Sequence, residues 1–285
     1  MVGHFAKDEL IVDGVGEIAS GGGVYYGSVV LQTMGLKTAV ATRLHPDDFP
    51  RLEELRQAGV VVYPTAAPQT SGIANYYRSD DMERRITRLI GFAGTMQLSE
   101  IPDLPARVIM VAGIIAGEVD LPTLKTLAGR APLALDVQGF VRVPEGNDLV
   151  FKPWPEMEEG LQYVTYLKVD RAEAEHLTGE TDLHAAVRKL SSYGPKEVLL
   201  TQSSGPLVYA GGKFYQAPFT PRSLAGRTGR GDTCFCAYIG KRLSDGPEGA
   251  TRWAAAVTTL KQEKPGPWSG PLAEAEALMR ARMNP

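Results

Sequence analysis

Cysteine is scarce in this chain of 285 residues, which contains only Cys234 and Cys236. Two cysteines one residue apart on a predicted helix can neither build a disulfide framework nor complete a zinc site. We therefore interpret both as reduced core residues. The four histidines are scattered without the spacing of metal ligands, so no histidine-based metal centre is expected.

Long apolar runs and an excess of positive charge are also lacking. No segment approaches the roughly 20 apolar residues of a membrane span, and the first residues lack the basic-then-apolar layout of a signal sequence. The net charge of −3 disfavours nucleic-acid binding, which needs a basic surface. The composition, with 44% hydrophobic and 22% charged residues, is that of a globular protein. Together with the missing membrane span and signal layout, it leads us to expect a cytoplasmic protein with neither a membrane nor a nucleic-acid partner.

Apolar segments of strand length alternate with segments of helical period along the chain. The predicted buried strands are Val60 to Tyr63, Val108 to Ala112, Leu133 to Val137, Leu161 to Lys168 and Val198 to Thr201. The predicted helices are Val24 to Met34, Phe49 to Ala58, Leu121 to Ala128, Ala172 to Leu177, Leu183 to Tyr193, Thr233 to Leu243 and Glu248 to Lys261. This alternation predicts an α/β fold with a parallel sheet, whose ligands bind beyond the carboxyl ends of the strands.

Two segments, near residues 9–18 and 71–89, alternate apolar and polar residues instead, and the second has a polar turn at residues 79–81. They predict a small antiparallel flap, or lid, that closes over substrate and excludes water. Residues 144–155 are interpreted as a long loop. Because no linker or repeat divides the chain, we expect one domain over residues 1–285.

The segment from Gly226 to Leu243 carries the most functional information, because it places a carboxylate between a glycine turn and a helix. Gly229 and Gly231 allow successive amides to point into one anion-holding concavity, to which the helix start adds partial positive charge. Asp232 would accept a proton there. Helix capping by Asp232 is the plain alternative. Arginines at a helix start, here Arg227 and Arg230, favour a bound phosphate because they oppose the macrodipole otherwise.

The stretch Thr228-Gly-Arg-Gly-Asp232 resembles the C-terminal signature of the ribokinase-like, or PfkB, carbohydrate kinases, which is Thr-Gly-Ala-Gly-Asp at a helix start. Gly21-Gly-Gly23 through Gly35 resembles the N-terminal signature of the same family. The similarity runs from end to end. It implies a ribokinase-like, Rossmann-type three-layer sandwich with a mostly parallel central sheet and a small β lid.

The resemblance implies an ATP- and Mg²⁺-dependent kinase that phosphorylates a hydroxyl of a small sugar, polyol, cyclitol or nucleoside. Asp232 would be the catalytic base, and Gly229, Arg230 and Gly231 would form the anion hole. The implied substrate-binding residues are Asp8, Gly22, Gly23, Tyr26, Asn75, Gln138 and Arg142. The implied nucleotide-binding residues are Lys168, Asp170, Thr201, Gly205 and Thr228, with Glu173 near the metal. The helix ending at Lys261 resembles the one that borders the adenine pocket.

The segment from Leu135 to Arg142 is similar to that of plant-type myo-inositol kinases in the family, which adds cyclitols to the expected acceptors. Here Asp136, Gln138 and Arg142 would present polar groups at the active edge of the sheet. The alternative is a structural ion pair between Asp136 and Arg142, which would contribute little if exposed.

The chain departs from the family pattern near the anion hole. Tyr26 stands where an Asn usually contacts substrate, and Asp170 replaces an Asn. Gly226 and Arg227 replace an Asp-Thr pair, which puts the family's monovalent-cation site in doubt, and Arg227 or Arg230 would supply charge instead.

Two other classes of protein stay open on the sequence alone. The first is a catalytically silent relative that binds nucleotide or sugar as a regulator. The second is a dinucleotide-dependent oxidoreductase, although the chain lacks Gly-x-Gly-x-x-Gly after the first strand and has no P-loop motif. The sequence also leaves open whether the protein is a monomer or a homodimer formed through the lid.

Overall fold

The computed structural model describes residues 1–78 and 81–281. The strands are β1 Ala6–Val12, β2 Val15–Gly21, β3 Ala39–Leu44, β4 Val61–Ala66, β5 Gly72–Arg78, β6 Asp81–Gly91, β7 Ile109–Val111, β8 Leu133–Asp136, β9 Arg142–Glu145, β10 Asp148–Phe151, β11 Tyr166–Asp170, β12 Glu197–Gln202, β13 Gly205–Ala210 and β14 Lys213–Gln216. The α-helices are α1 Gly23–Thr33, α2 Glu53–Gln57, α3 Leu121–Ala128, α4 Gln138–Val141, α5 Met157–Leu161, α6 Arg171–Thr178, α7 Leu183–Ser192, α8 Arg230–Arg242, α9 Pro247–Gln262 and α10 Leu272–Ala281. Short 3-10 helices cover Pro46–Leu52 and Leu98–Glu100.

The central sheet has the strand order β14-β13-β12-β11-β8-β7. Strands β7, β8, β11 and β12 run parallel, and β13 and β14 add an antiparallel edge. Val2 forms parallel bridges to Val111 and to Ala41, so the parallel pair β3 and β4 continues the sheet on the other side. The mostly parallel sheet predicted from the alternating sequence is present.

Residues of β8 show how the sheet separates two apolar layers. Leu133 and Leu135 pack in one buried cluster with Leu124 of α3, whereas Ala134 between them packs in another with Cys234 of α8. Successive side chains of a strand point to opposite faces, so both faces of the sheet are covered by helices. The three-layer arrangement follows from this double burial, and both cysteines are buried free thiols within it.

A second sheet, with the order β2-β1-β5-β6-β10-β9, forms the lid, and it is not wholly antiparallel as predicted because β1 and β5 run parallel. The segments near 9–18 and 71–89 supply its first four strands, while residues 79 and 80 of the predicted polar turn lie outside the described residues. The interpretation of residues 144–155 as a long loop is wrong. Glu145 pairs with Asp148 across a two-residue turn in which Gly146 has φ 61°, which is the chemistry of a tight hairpin.

Most element limits differ from the sequence prediction by one to three residues, and two differences are larger or change the type of element. The apolar stretch from Leu161 begins in helix α5, and the strand starts only at Tyr166, because a buried helix end has the same apolar composition as a buried strand. The predicted helix at Phe49 to Ala58 is a 3-10 helix containing Pro50 followed by α2. No helix in the described part of the chain is long and apolar enough to cross a membrane.

Candidate active site

The carboxylate of Asp232 lies where the starts of two helices meet. Helix α8 begins after Gly229, which has φ 81°, and α1 begins after Gly22, which has φ 92°. Neither start is capped by a side chain. A Cβ atom on Gly23 would fall 2.9 Å from the Oδ1 atom of Asp232, which places this carboxylate against the first turn of α1. Amide donors and two positive dipole ends therefore converge at Asp232.

Asp8 lies beside the same glycine-rich turn. A Cβ on Gly21 would fall 2.0 Å from its Oδ2 atom, so only glycine permits this approach. Asp8 is buried, and its Oδ1 atom accepts a hydrogen bond of 3.0 Å from the amide of Ile73. The lid strand β5 is thus tied to the carboxylate that the family resemblance assigns to substrate.

Asn75 shares the inner face of the lid with Asp8. Leu10 pairs with Asn75 across β1 and β5, and side chains two residues apart on a strand lie on the same face. The hydroxyl of Thr87 donates to the Oδ1 atom of Asn75 at 2.9 Å. The Nδ2 atom of Asn75 is buried and has no hydrogen-bond partner in the structure. Because buried amide groups are normally paired, this donor indicates a place for a ligand oxygen.

Tyr26 lies beneath the loop that leads into α8. Its side chain is buried, and a Cβ on Gly229 would fall 2.4 Å from its Cγ atom. The Nζ atom of Lys261 lies 5.2 Å from the centre of the ring. This position favours a role for Tyr26 in supporting the loop. The contact between Tyr26 and substrate that the family resemblance implies stays a prediction.

Lys168 brings a buried positive charge to the start of α8. Its Nζ atom lies 3.0 Å from Oδ2 of Asp136, and a Cβ on Gly231 would fall 3.4 Å from the same nitrogen. Thr201 lies 3.8 Å from that Cβ position. Burial opposes the charge on Lys168, but Asp136 and Glu173 outweigh it and raise the pKa of the ammonium. Lys168 is therefore a charged group beside Gly231, in the turn that the family resemblance assigns to the anion hole.

Arg142, Asp170 and Glu173 form an ion cluster that Lys168 joins to Asp136, since the Nζ atom of Lys168 lies 3.8 Å from Oε2 of Glu173. The Nη2 atom of Arg142 lies 3.1 Å from Glu173 and 3.3 Å from Asp170. Glu173 also accepts from the amide of Asp170, and Asp170 accepts from that of Glu173, which closes a capping box at the start of α6. Asp136 pairs with Lys168, so the alternative of a direct pair between Asp136 and Arg142 is wrong.

Glu173 does not fit the role of a direct metal ligand. It is fully buried, its Oε1 atom is engaged by Arg142, and its Oε2 atom by the amide of Asp170. Within residues 1–78 and 81–281, no group of three His, Cys, Asp or Glu side chains is arranged to hold a metal ion.

Thr228, Gln138 and Gly205 are three more of the predicted residues. Thr228 directly precedes Gly229, and Gln138 starts α4, where its amide donates to Asp136 at 3.0 Å. Gly205 belongs to the β12–β13 hairpin, where a Cβ would fall 2.0 Å from the carbonyl oxygen of Ala217. This close approach of the two backbones requires glycine at position 205.

Sequence reasoning did not find the contacts of Thr87 with Asn75 and of Lys261 with Gly226 and Tyr26. The signal for Thr87 is pairing across a lid hairpin, which needs the strand register. The signal for Lys261 is a charged residue on a helix whose neighbours Val257, Thr258 and Gln262 are all buried. A lysine in such a position needs a buried partner.

Comparisons with known proteins agree with this geometry. The pfkB family of carbohydrate kinases matches residues 21–272. A sulfate complex of a pyrophosphate-dependent kinase in the ribokinase family is 39% identical, with a TM-score of 0.90 over 97% of this chain and 98% of that one. A pyrophosphate-dependent kinase of that family bound to a pyrophosphate analog and myo-inositol is 38% identical, with the same TM-score and coverage. A search of curated proteins finds no match.

The more distant likeness is one of fold. Ribokinase from Arabidopsis thaliana, complexed with ribose and ATP, is 22% identical, with a TM-score of 0.77 over 98% of this chain and 97% of that one. The chain therefore belongs to the pfkB family of carbohydrate kinases and has the ribokinase-like α/β fold. The predicted family, fold and kinase class are confirmed, and an oxidoreductase is not supported.

Proposed function

We propose that this protein transfers a phosphoryl group from inorganic pyrophosphate to a hydroxyl of a cyclitol of the myo-inositol class. The observation that carries the proposal is the carboxylate of Asp232 between two helix starts without side-chain caps, beside Gly23 and close to the charged Lys168. Positioning and charge neutralisation are what phosphoryl transfer asks of a protein.

In the proposed reaction, Asp232 accepts the proton of the acceptor hydroxyl. The hydroxyl oxygen forms a bond to phosphorus, and the bond between that phosphorus and the bridging oxygen of the donor breaks, releasing phosphate. The amides of Gly229, Arg230 and Gly231 and the ammonium of Lys168 stabilise the transferred group, whose oxygens carry the developing charge.

The choice of pyrophosphate over the expected ATP rests on how the chain before α8 packs against α9. The amide of Thr220 donates to Oγ1 of Thr259 at 3.2 Å, and that of Gly226 donates to the carbonyl of Gln262 at 2.8 Å. A Cβ on Gly226 would fall 1.8 Å from the carbonyl oxygen of Lys264. These contacts leave little separation between the two segments where the family resemblance places the adenine. The similar kinases of 38–39% identity are pyrophosphate-dependent.

The choice of a cyclitol rests on the inner face of the lid. Asp8 offers a buried carboxylate, and Asn75 offers an unpaired amide donor supported by Thr87. In a relative of 37% identity, replacing one Asn and one Ser by Leu converts a pyrophosphate-dependent myo-inositol-1 kinase into a myo-inositol-3 kinase. We propose that Asn75 and Thr87 orient the acceptor ring in this protein.

Magnesium is expected as a component of the donor. Mg²⁺ keeps several waters and is commonly bound by substrate phosphates with one or two carboxylates. Because Glu173 is engaged by Arg142 and by the amide of Asp170, we propose that the ion arrives as magnesium pyrophosphate.

The test is a donor and acceptor matrix. Purified protein is incubated with pyrophosphate or ATP and with myo-inositol, ribose, a linear polyol or a nucleoside, and the products are followed by ³¹P NMR. Pyrophosphate with myo-inositol is expected to give a phosphate monoester and free phosphate. Turnover with ATP alone would overturn the donor, turnover with another acceptor would overturn the cyclitol, and none at all would support the silent regulator.

We propose that the whole chain acts as one domain. We also propose that its lid packs against the lid of a second copy. Ile18, Tyr76, Ile86 and Ile90 share the outer face of the lid by strand register, and all are exposed, Ile86 by 65%. An apolar sheet face of this kind favours a homodimer over a monomer. Sedimentation velocity over a range of concentrations measures the assembly, and a monomer throughout would contradict it.

A further inference from the structure

Lys261 is a buried lysine that the proposed reaction does not yet use. It lies in the last turn of α9 with 2% of its surface exposed. Its Nζ atom donates to the carbonyl oxygen of Gly226 at 2.5 Å and to that of Lys264 at 3.5 Å, and it lies 5.2 Å from the centre of the Tyr26 ring. The partners of this ammonium are carbonyl dipoles and an aromatic face.

Such surroundings stabilise a monovalent cation only in part. Carbonyl oxygens at a helix C-terminus and the face of an aromatic ring both attract positive charge. Burial nevertheless lowers the pKa of Lys261 to about 8, and the charge of Asp232 acts in the opposite direction. The field of Asp232 therefore reaches the Lys261 ammonium, and the attraction is mutual.

Two connections lead from Lys261 to the anion hole. Along the chain, Gly226 is three residues before Gly229, so the hydrogen bond to its carbonyl fixes the start of the turn. Through space, the Tyr26 ring is near both groups: its centre lies 5.2 Å from the ammonium, and its Cγ atom lies 2.4 Å from the position of a Cβ on Gly229. Both connections end at the backbone whose amides are proposed to hold the transferred phosphoryl group.

We propose that Lys261 is a positioning residue that acts as a tethered monovalent cation. Its ammonium fixes the Gly226 to Gly229 turn and the Tyr26 ring and supplies positive charge near Asp232, so that phosphoryl transfer needs no added monovalent cation. The inference rests on the proposed phosphotransferase function. It assigns Lys261 no contact with the donor or the acceptor.

The test compares Lys261→Ala, Lys261→Met and Lys261→Arg with Lys213→Ala, which removes an exposed lysine at the start of β14. Each protein is assayed in chloride salts of choline, sodium, potassium and ammonium. The readouts are kcat, KM for pyrophosphate and Tm. Wild type and Lys213→Ala are expected to show the same kcat in all four salts.

Lys261→Ala is expected to lose about 100-fold in kcat in choline chloride, the scale of a misplacement of about 1 Å. Ammonium or potassium is expected to restore at least 10-fold of that loss and to raise Tm relative to choline. Lys261→Met fills the space with an apolar chain and is expected to show no rescue. Lys261→Arg keeps the charge and is expected to exceed Lys261→Met in kcat.

Three results would overturn the inference. If Lys261→Ala keeps the kcat of the wild type and only its Tm is lower, Lys261 is a structural residue. A higher KM for pyrophosphate with unchanged kcat and no rescue would make it a donor contact. If Lys261→Ala does not fold, equal kcat in Lys261→Met and Lys261→Arg would be decisive against it.

Failure of the proposed function is separable from failure of this inference. If the wild type transfers phosphoryl from no donor, the proposed function fails. The ammonium- or potassium-specific rise in Tm of Lys261→Ala, absent from Lys213→Ala, still decides whether the site holds a monovalent cation. Absence of that specific rise would then count against the inference.

Discussion

The ring of Tyr26 lies directly against the α-carbon of Gly229, in the space that the side chain of any other residue would occupy. A Cβ at position 229 would fall 2.4 Å from both Cγ and Cδ1 of the ring. Gly229 also has φ 81°, a conformation that other residues adopt at a cost. The aromatic residue that departs from the family pattern therefore packs directly against the turn that is proposed to form the anion hole.

Replacing Gly229 with Ala is expected to displace the turn and to abolish most of the activity. The new methyl group must push against Tyr26, and the amides of the turn then miss the transferred phosphoryl group. Displacement by about 1 Å is expected to lower kcat about 100-fold. Steady-state kinetics with pyrophosphate measures the change.

Gly179→Ala is the matched control for this prediction. Gly179 follows α6 with φ 71° and has no atom within 4 Å of its Cβ position. It is expected to lose about 1 kcal/mol of stability from backbone strain alone and to keep its kcat. Equal kcat in both variants would show that the contact with Tyr26 has no functional importance.

Asp232→Asn is expected to fold and to turn over poorly. The amide keeps the size of the side chain but cannot accept the proton of the acceptor hydroxyl, so kcat is expected to fall by about 100- to 10,000-fold. Circular dichroism and Tm check the fold, and Asp47→Asn, which changes an exposed carboxylate, is the control. Near-wild-type kcat in a folded Asp232→Asn protein would refute its role as base.

Lys168→Met is expected to destabilise the fold by about 3–5 kcal/mol, because it leaves the buried carboxylate of Asp136 without its partner. The double variant Lys168→Met with Asp136→Asn removes both charges. We expect it to be more stable than Lys168→Met alone in urea unfolding. If the losses in free energy of unfolding measured for Lys168→Met and for Asp136→Asn simply add in the double variant, the two side chains are not energetically coupled.

Asn75→Ala is expected to raise KM for the acceptor without changing KM for pyrophosphate. The substitution removes the unpaired Nδ2 donor on the inner face of the lid and the oxygen that Thr87 contacts. NMR of the product shows which hydroxyl carries the phosphate, and a shift to another ring position is expected in some of the product. A rise in the KM for pyrophosphate alone would place Asn75 on the donor side.

The kcat of the wild type is expected to fall as pH rises through about 8. Burial lowers the pKa of Lys261 from 10.5 to about 8, and Asp232 partly offsets this effect. Below pH 8 the ammonium is present in both folded and unfolded protein. Between about 8 and 10.5 the folded protein has lost this proton while the unfolded chain keeps it, so this site makes unfolding less favourable as pH rises.

Lys261→Arg distinguishes this titration from others, since a guanidinium keeps its proton throughout the range. Its kcat is expected to lack the decline near pH 8. If the pH profiles of kcat for wild type and Lys261→Arg coincide, the titration of Lys261 does not control turnover.

Local patterns predicted much of the fold. Helix α3 has the predicted limits of Leu121 and Ala128, because its N-cap Asp120 and Pro122 near its start are local signals. The hairpin of β9 and β10 was missed, because Pro144 and Gly146 are typical of loops as well as of tight turns. Its strands are stabilised by joining a sheet edge, which is a tertiary effect.

The sequence by itself determined the glycine turn, the acid that follows it and the alternation of strands and helices, since these depend on residue type and spacing. Only the tertiary structure decided which charges meet. Lys168 pairs with Asp136, and Arg142 pairs with Glu173. It also placed the ammonium of Lys261 over the Tyr26 ring. Partners of buried charges are set by the packing of distant segments, and a local pattern carries no information about those distances.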